Sequence, residues 1–209
     1  MSGNDRTTAA GLMNRVHESY VEARRGRRLA AHIAELLPER SRVLDVGCGD
    51  GRLAGLVLEK RPDLSLRGID VLVQPETRIF VERFDGQRIP HPDDSFDAVM
   101  FVDVLHHTDD PTVLLREAQR VSGRLVLIKD HTANGFLARP TLRFMDRVSN
   151  MRKGIVLPYN YWPRQQWKNV FADLGWQLRD WRSDLGTYPP PANLVFGRSL
   201  HFMALLQVA

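Results

Sequence analysis

The chain has 209 residues, with 43% apolar content, 26% charged content and a formal net charge of +4. That length supports one domain with its own core, and a single cysteine, Cys48, excludes an internal disulfide framework and fits a reducing compartment. No apolar run reaches the roughly 18 residues of a membrane span, and the N-terminus lacks a signal-peptide apolar region, so a cytoplasmic protein is expected.

Only four of the 29 basic residues are lysine. Arginine forks suit carboxylates and phosphates, so charge leaves open an anionic small molecule, phospholipid headgroups or nucleic acid, beside an ordinary solvated surface.

In chain order, residues 1–11 read as a loose polar tail. Leu12, Val16, Tyr20, Leu29, Ile33 and Leu36 recur at helical spacing up to Pro38, with a break expected at Gly26. Arg42–Val46 reads as a short buried strand that runs into a glycine turn, followed by a helix to Pro62. Leu64–Val71 and Arg78–Phe84 alternate like strands, and Phe96–Val104 is apolar nearly throughout, as a central parallel strand is. Asp110-Pro111 marks a helix start, and Gly123–Ile128 is a further buried strand. Residues 131–162 form a long insertion with a short helix around Leu142–Val148. A helix at Pro163–Leu174 and strands at Trp176–Trp181 and Leu200–Val208 complete the chain.

Alternating strands and helices imply an α/β fold, a doubly wound and mostly parallel sheet with helices on both faces. One domain is expected over 1–209: a helical segment at 12–38, a ligand-binding core at 42–130, a cap at 131–162 and a C-terminal helix with strands at 163–209.

The stretch VLDVGCGDG (43–51) places three glycines after a strand, the crevice where such sheets bind nucleotide-like ligands. A Walker-type loop requires a lysine and a hydroxyl residue that Arg52-Leu53 does not supply. A dinucleotide loop is spaced G-x-G-x-x-G, whereas here the third glycine comes one residue early. Asp45, two residues before the first glycine, opposes a pyrophosphate and favours a ligand with positive charge. Asp50 is read as a loop residue or helix cap.

The set VLDVGCGDG, GIDV (68–71) and FDGQRIPHPDDSFDAVMFVDVLHHTDDP (84–111) resembles the class I S-adenosylmethionine-dependent methyltransferases, especially those acting on small molecules. The resemblance covers 42–130 and implies a Rossmann-like seven-stranded sheet with an antiparallel last strand, and S-adenosyl-L-methionine as cofactor. It implies Asp45, Gly47 and Gly49 around the methionine moiety, Asp70 on the ribose hydroxyls and Val71 against the adenine. It further implies Asp85 and the Gly86 amide at the adenine edge, and a Val102 carbonyl for the amine.

An oxygen or nitrogen acceptor must lose a proton, and His106, His107, Asp130 and His131, all at strand ends, are the candidate bases. A structural role for the two adjacent histidines stands beside this. Asp103, His106, His107 and Asp130 could converge, but no spacing resembles a dedicated metal motif, so no metal is expected.

The cap is aromatic, with Phe136, Leu137, Phe144 and Met145, and Tyr159, Tyr161 and Trp162 are candidate acceptor contacts. Arg139, Arg143, Arg147 and Arg152 could grip an acidic acceptor. The expected partner is a small molecule, anionic or lipid-linked, with peripheral membrane contact through 136–145 as an added option. No nucleic-acid partner is expected, since the Asn/Asp-Pro-Pro-aromatic run of base methylation is replaced by Asp103-Val-Leu-His and no nucleic-acid module is evident. An NAD(P)-dependent oxidoreductase and a non-catalytic S-adenosylmethionine-binding protein are the alternatives.

Overall fold

A computed structural model describes residues 9–150, 160–190, 192–197 and 200–208, with backbone alone for 9–22, 146–150 and 194–195. Among these residues there are seven strands: β1 (Arg42–Val46), β2 (Ser65–Asp70), β3 (Val81–Arg83), β4 (Phe96–Val102), β5 (Ser122–His131), β6 (Gln177–Arg182) and β7 (His201–Gln207). They form one sheet in the order β3-β2-β1-β4-β5-β7-β6. Strands β1 to β5 pair in parallel, and β7 runs antiparallel to both of its neighbours. The α-helices among the described residues are α1 (Ala9–Leu36), α2 (Arg52–Lys60), α3 (Pro111–Val121), α4 (Ala138–Asn150) and α5 (Arg164–Asp173).

Alternation along the central strands builds two apolar layers. Leu44, Val99, Phe101, Val126 and Ile128 join Leu114 and Leu115 of α3 and Trp167 and Phe171 of α5. On the other face, Val43, Ala98, Met100 and Leu127 meet Leu29 and Ile33 of α1 and Ala54 and Val57 of α2. Both faces of the sheet are covered, which is why the middle strands read as unbroken apolar runs.

Four expectations are corrected. Helix α1 starts at Ala9, inside the expected tail, and passes through Gly26 unbroken. A Cβ at Gly26 would lie 3.2 Å from Leu56 Cδ1, so this glycine serves close contact between α1 and α2. The expected strand Arg78–Phe84 pairs with β2 only over Val81–Arg83. The preceding residues are held over the glycine turn instead: the Arg78 amide donates to the Asp50 carbonyl at 2.8 Å, and a Cβ on Gly51 would strike Ile79 Cγ1 at 2.5 Å. The short helix expected at Leu142–Val148 extends over Ala138–Asn150.

The Asp110-Pro111 start holds: the Asp110 carboxylate accepts from the Thr112 amide at 2.9 Å, with Pro111 opening α3. Among the described residues, no helix is long and apolar enough to cross a membrane.

Candidate functional site

Two polar groupings lie at the carboxyl ends of adjacent strands. The first surrounds the turn after β1. Gly47, Gly49 and Gly51 have φ values of 73°, 59° and 72°, the left-handed region that glycine enters without steric cost. A Cβ on Gly47 would lie 2.6 Å from Val104 Cγ2, whereas at Gly49 nothing comes within 4 Å. The turn is therefore packed tightly at its base and open at its apex.

Asp45, on β1 beneath this turn, is 3% exposed, and its carboxyl makes no side-chain hydrogen bond among the described residues. Burial, and secondarily the neighbouring Asp70, push its pKa up to about 7. A carboxyl this deeply buried is costly to ionise unless a cation reaches it.

Asp70 closes β2 and ties the turn to it: Oδ2 accepts from the Gly49 amide at 2.8 Å and Oδ1 from the Leu72 amide at 2.9 Å. Each oxygen keeps a lone pair for a further donor. Val71 is 51% exposed, and a Cβ on Gly86 would sit 3.2 Å from Val71 Cγ1, so that glycine lies against the valine. The Asp85 Oδ1 accepts from the Gln87 and Arg88 amides at 2.8 and 2.7 Å, and these bonds lower its pKa and leave Oδ2 for another donor. Asp50 caps from outside the helix, accepting the Arg52 amide at 3.0 Å, while Gly51 holds the cap position. Val102 is the last residue of β4.

These features fit an adenosyl ligand carrying an ammonium group: a buried carboxyl awaiting a cation, an open glycine apex, a carboxylate with spare lone pairs, and an exposed valine beside a glycine.

The second grouping is buried at the ends of β4, β5 and β7. His106 lies in a single 3-10 turn, Leu105–His107, and its Nδ1 is 2.6 Å from Asp130 Oδ1. Asp130 is 0% exposed and also accepts from the Leu105 amide at 3.0 Å and the His131 amide at 2.7 Å. Burial alone would raise the pKa of Asp130, but its contacts with His106 and, after it, His131 outweigh that and hold the carboxyl well below the usual range. His131 Nδ1 stands 3.3 Å from His106 Nδ1, and burial followed by His106 lowers its pKa, which keeps it neutral. Tyr161 packs against both rings, with centroids 5.9 Å away in each case.

On the α1 side, the Asp103 carboxylate bridges Lys129 and Arg25, and Lys129 Nζ lies 3.3 Å from His201 Nδ1. Burial works against ionised Asp103, yet Lys129 and Arg25 hold it well below its ordinary pKa.

Of the candidate bases, His106, Asp130 and His131 are in mutual contact. His107 is half-buried beside His106, with ring centroids 3.9 Å apart. Trp162 packs against Trp167 in the main core, at 4.7 Å between centroids. Tyr159 and Arg152 lie outside the described residues. Asp103, His131 and His201, and separately His106, Asp130 and His131, each bring ligand-type atoms within 4.8 Å of one another. In the first set the Lys129 ammonium already sits on Asp103, where a cation would be held. Arg25 and His201 were not marked by sequence, because each reaches the cluster over more than 70 residues.

A family model described as a methyltransferase domain matches residues 20–180. The chain belongs to this methyltransferase-domain family. Its similarity to 27-O-demethylrifamycin SV methyltransferase of Amycolatopsis mediterranei is 31% identity over 62% of the chain and 53% of that protein. To the demethylmenaquinone methyltransferase of Deinococcus radiodurans it is 36%, over 56% of the chain and 54% of that protein. The chain thus spans about half the length of these curated relatives.

Among solved structures, a complex of the Haloferax volcanii Trm112 methyltransferase activator with a methyltransferase contains a similar fold. The TM-score is 0.65 at 18% identity, covering 100% of the chain and 99% of its counterpart. An S-adenosylmethionine-dependent methyltransferase from Mesorhizobium loti gives 0.62 at 18% identity, over 83% and 94%. The family match sets aside the dinucleotide-dependent oxidoreductase, and S-adenosylmethionine is the cofactor of the class.

If the ligand's ammonium group docks on Asp45, binding is expected to depend on pH. With its pKa at about 7 in the free protein, an ammonium group that fixes it ionised must displace its proton at lower pH. Affinity for S-adenosylhomocysteine is expected to rise about tenfold per pH unit from pH ~5 to ~7 and then level off. Calorimetry across that range checks this, and Asp45→Asn removes the slope. Without ligand the sign is opposite: the folded state binds the proton more tightly, so the Asp45 contribution to stability is lost as pH rises through about 7.

Proposed function

We propose that this protein transfers a methyl group from S-adenosylmethionine to an oxygen or nitrogen of a small, ring-bearing acceptor, including lipid-linked ones. The observation that supports this best is the adjacency of the two groupings. β1 pairs with β4 and β4 with β5, so the glycine turn and Asp45 stand beside the His106–Asp130 pair.

When bound, the cofactor supplies an electrophilic methyl group on a sulfonium. The residues that would hold it are Asp45 and the Val102 carbonyl at the amine, Gly47 and Gly49 along the methionine, and Asp70 at the ribose. Val71, Asp85 and the Gly86 amide would hold the adenine. His106, paired with Asp130 through Nδ1, is the base that takes the acceptor's proton. Asp130 orients the ring and balances the charge it gains, and neutral His131 adds no competing positive charge. Tyr161 offers an aromatic wall beside both histidines.

The named relatives act on a demethylrifamycin and a demethylmenaquinone, which agrees with a ring-bearing acceptor. A fold neighbour at a TM-score of 0.64 is named a [4+2]-cyclase, so the fold does not by itself assign the reaction.

Incubation of the protein and a cell extract with methyl-labelled S-adenosylmethionine tests the assignment, with the product identified by mass. Label in a small molecule is expected, and its absence while the cofactor still binds would favour a non-catalytic binding protein. Asp70→Ala is expected to weaken S-adenosylhomocysteine binding on the order of tenfold to a hundredfold, as a charged hydrogen-bond acceptor is lost. Unchanged affinity by calorimetry would place the ribose elsewhere.

A further inference from the structure

The outer surface of α4 and the turn before it take no part in the chemistry above, yet they carry three exposed large apolar side chains, among them Phe136, the most exposed of the described ones. Ala138 and Leu142, one turn apart, are buried against Tyr161 and Leu200 and fix the helix along its inner edge. The outward side has two parallel rows. Leu137, Pro140 and Phe144, spaced three and four residues apart, form an apolar row continued by Phe136. Phe136 is 99% exposed, Leu137 54% and Phe144 60%. Beside them Arg139 and Arg143, four residues apart, are both exposed.

A helix that packs on a core needs one apolar stripe, and this one has a second facing solvent. Residues 132–145 contain no acidic side chain. Two copies meeting through this surface would place arginine against arginine, whereas anionic headgroups complement the row. We propose that this face seats on a bilayer surface containing anionic lipid, with Phe136, Leu137 and Phe144 entering the acyl boundary and Arg139 and Arg143 on phosphates.

The geometry gives the docking a purpose. The α4 helix follows β5, whose end holds Asp130 and His131, so docking turns that end of the sheet toward the lipid phase. A depression of about 290 Å³, lined by Asn134, Gly135, Phe136, Leu137, Ala138 and Leu200, opens at the same turn and suits an aliphatic chain.

Sedimentation of the full chain with vesicles tests this independently of methyl transfer. Phosphatidylcholine vesicles with roughly a third phosphatidylglycerol are compared with phosphatidylcholine alone, at ~0.05 M and ~0.5 M salt. Binding is expected to the anionic vesicles at low salt. It should weaken on the order of tenfold for each of Phe136→Ser and Phe144→Ser. For each of Arg139→Gln and Arg143→Gln the loss should be about fivefold. All four side chains are exposed, so the melting temperature should not move, and circular dichroism confirms that the variants fold. Failure of the wild type to sediment with anionic vesicles overturns the proposal. So does binding that all four variants retain, or a self-associated form that the serine variants convert to monomer.

Discussion

His106→Ala is expected to lower the rate of methyl transfer by a factor on the order of 10² to 10⁴, the usual worth of a placed base. Affinity for S-adenosylhomocysteine should stay within about twofold, because His106 lies at the end of β4 and not among the carboxylates that would hold the cofactor. The separation of these two effects is what marks a base. A structural histidine at this buried position would lower stability and binding together. Label transfer into product and calorimetry on the same preparation give both quantities. A loss of less than about tenfold would remove His106 from the proton transfer and return the acceptor to one that needs no base.

Asp130→Ala should have the largest effect on stability of any single substitution at the site. Its carboxylate is 0% exposed and satisfies three donors, the His106 ring and the amides of Leu105 and His131. Removing a buried carboxylate shared by three donors costs about 3–5 kcal/mol. For a chain of this size that corresponds to a melting temperature lower by roughly 6–20 °C. Asp130→Asn, which keeps the shape and one acceptor oxygen, should lose less.

The pH dependence has a definite sign. The folded-state pKa of Asp130 lies below the ordinary value, so its stabilisation is present above the unfolded value of about 3.9 and is lost as pH falls below it. Acid unfolding should therefore be steeper in the wild type than in Asp130→Ala. Equal melting temperatures of the two proteins at neutral pH would show that the pair contributes nothing to the fold.

The parts of this architecture that were legible in the sequence are those written locally. VLDVGCGDG carries a strand, three left-handed glycines and a buried acid within nine residues. The Asp110-Pro111 cap works through a bond two residues long. Phe96–Val102 shows by its unbroken apolarity that both faces of β4 are covered.

What escaped is set by where distant elements meet. Gly26 resembles a helix break until α2 is seen to press against it. Trp162 reads as a cap aromatic, yet its neighbour in space is Trp167, and it belongs to the core. His201 and Arg25 join the buried cluster only because β7 inserts next to β5 and α1 crosses the strand ends, and no spacing in the chain announces either event.

A crystal structure with S-adenosylhomocysteine tests the central assignment most directly. The expected density places the ligand's amine beside Asp45, its ribose on Asp70 and its adenine between Val71 and Asp85, with the glycine turn beneath. Density at any other place, or an empty crevice at saturating ligand, would contradict it.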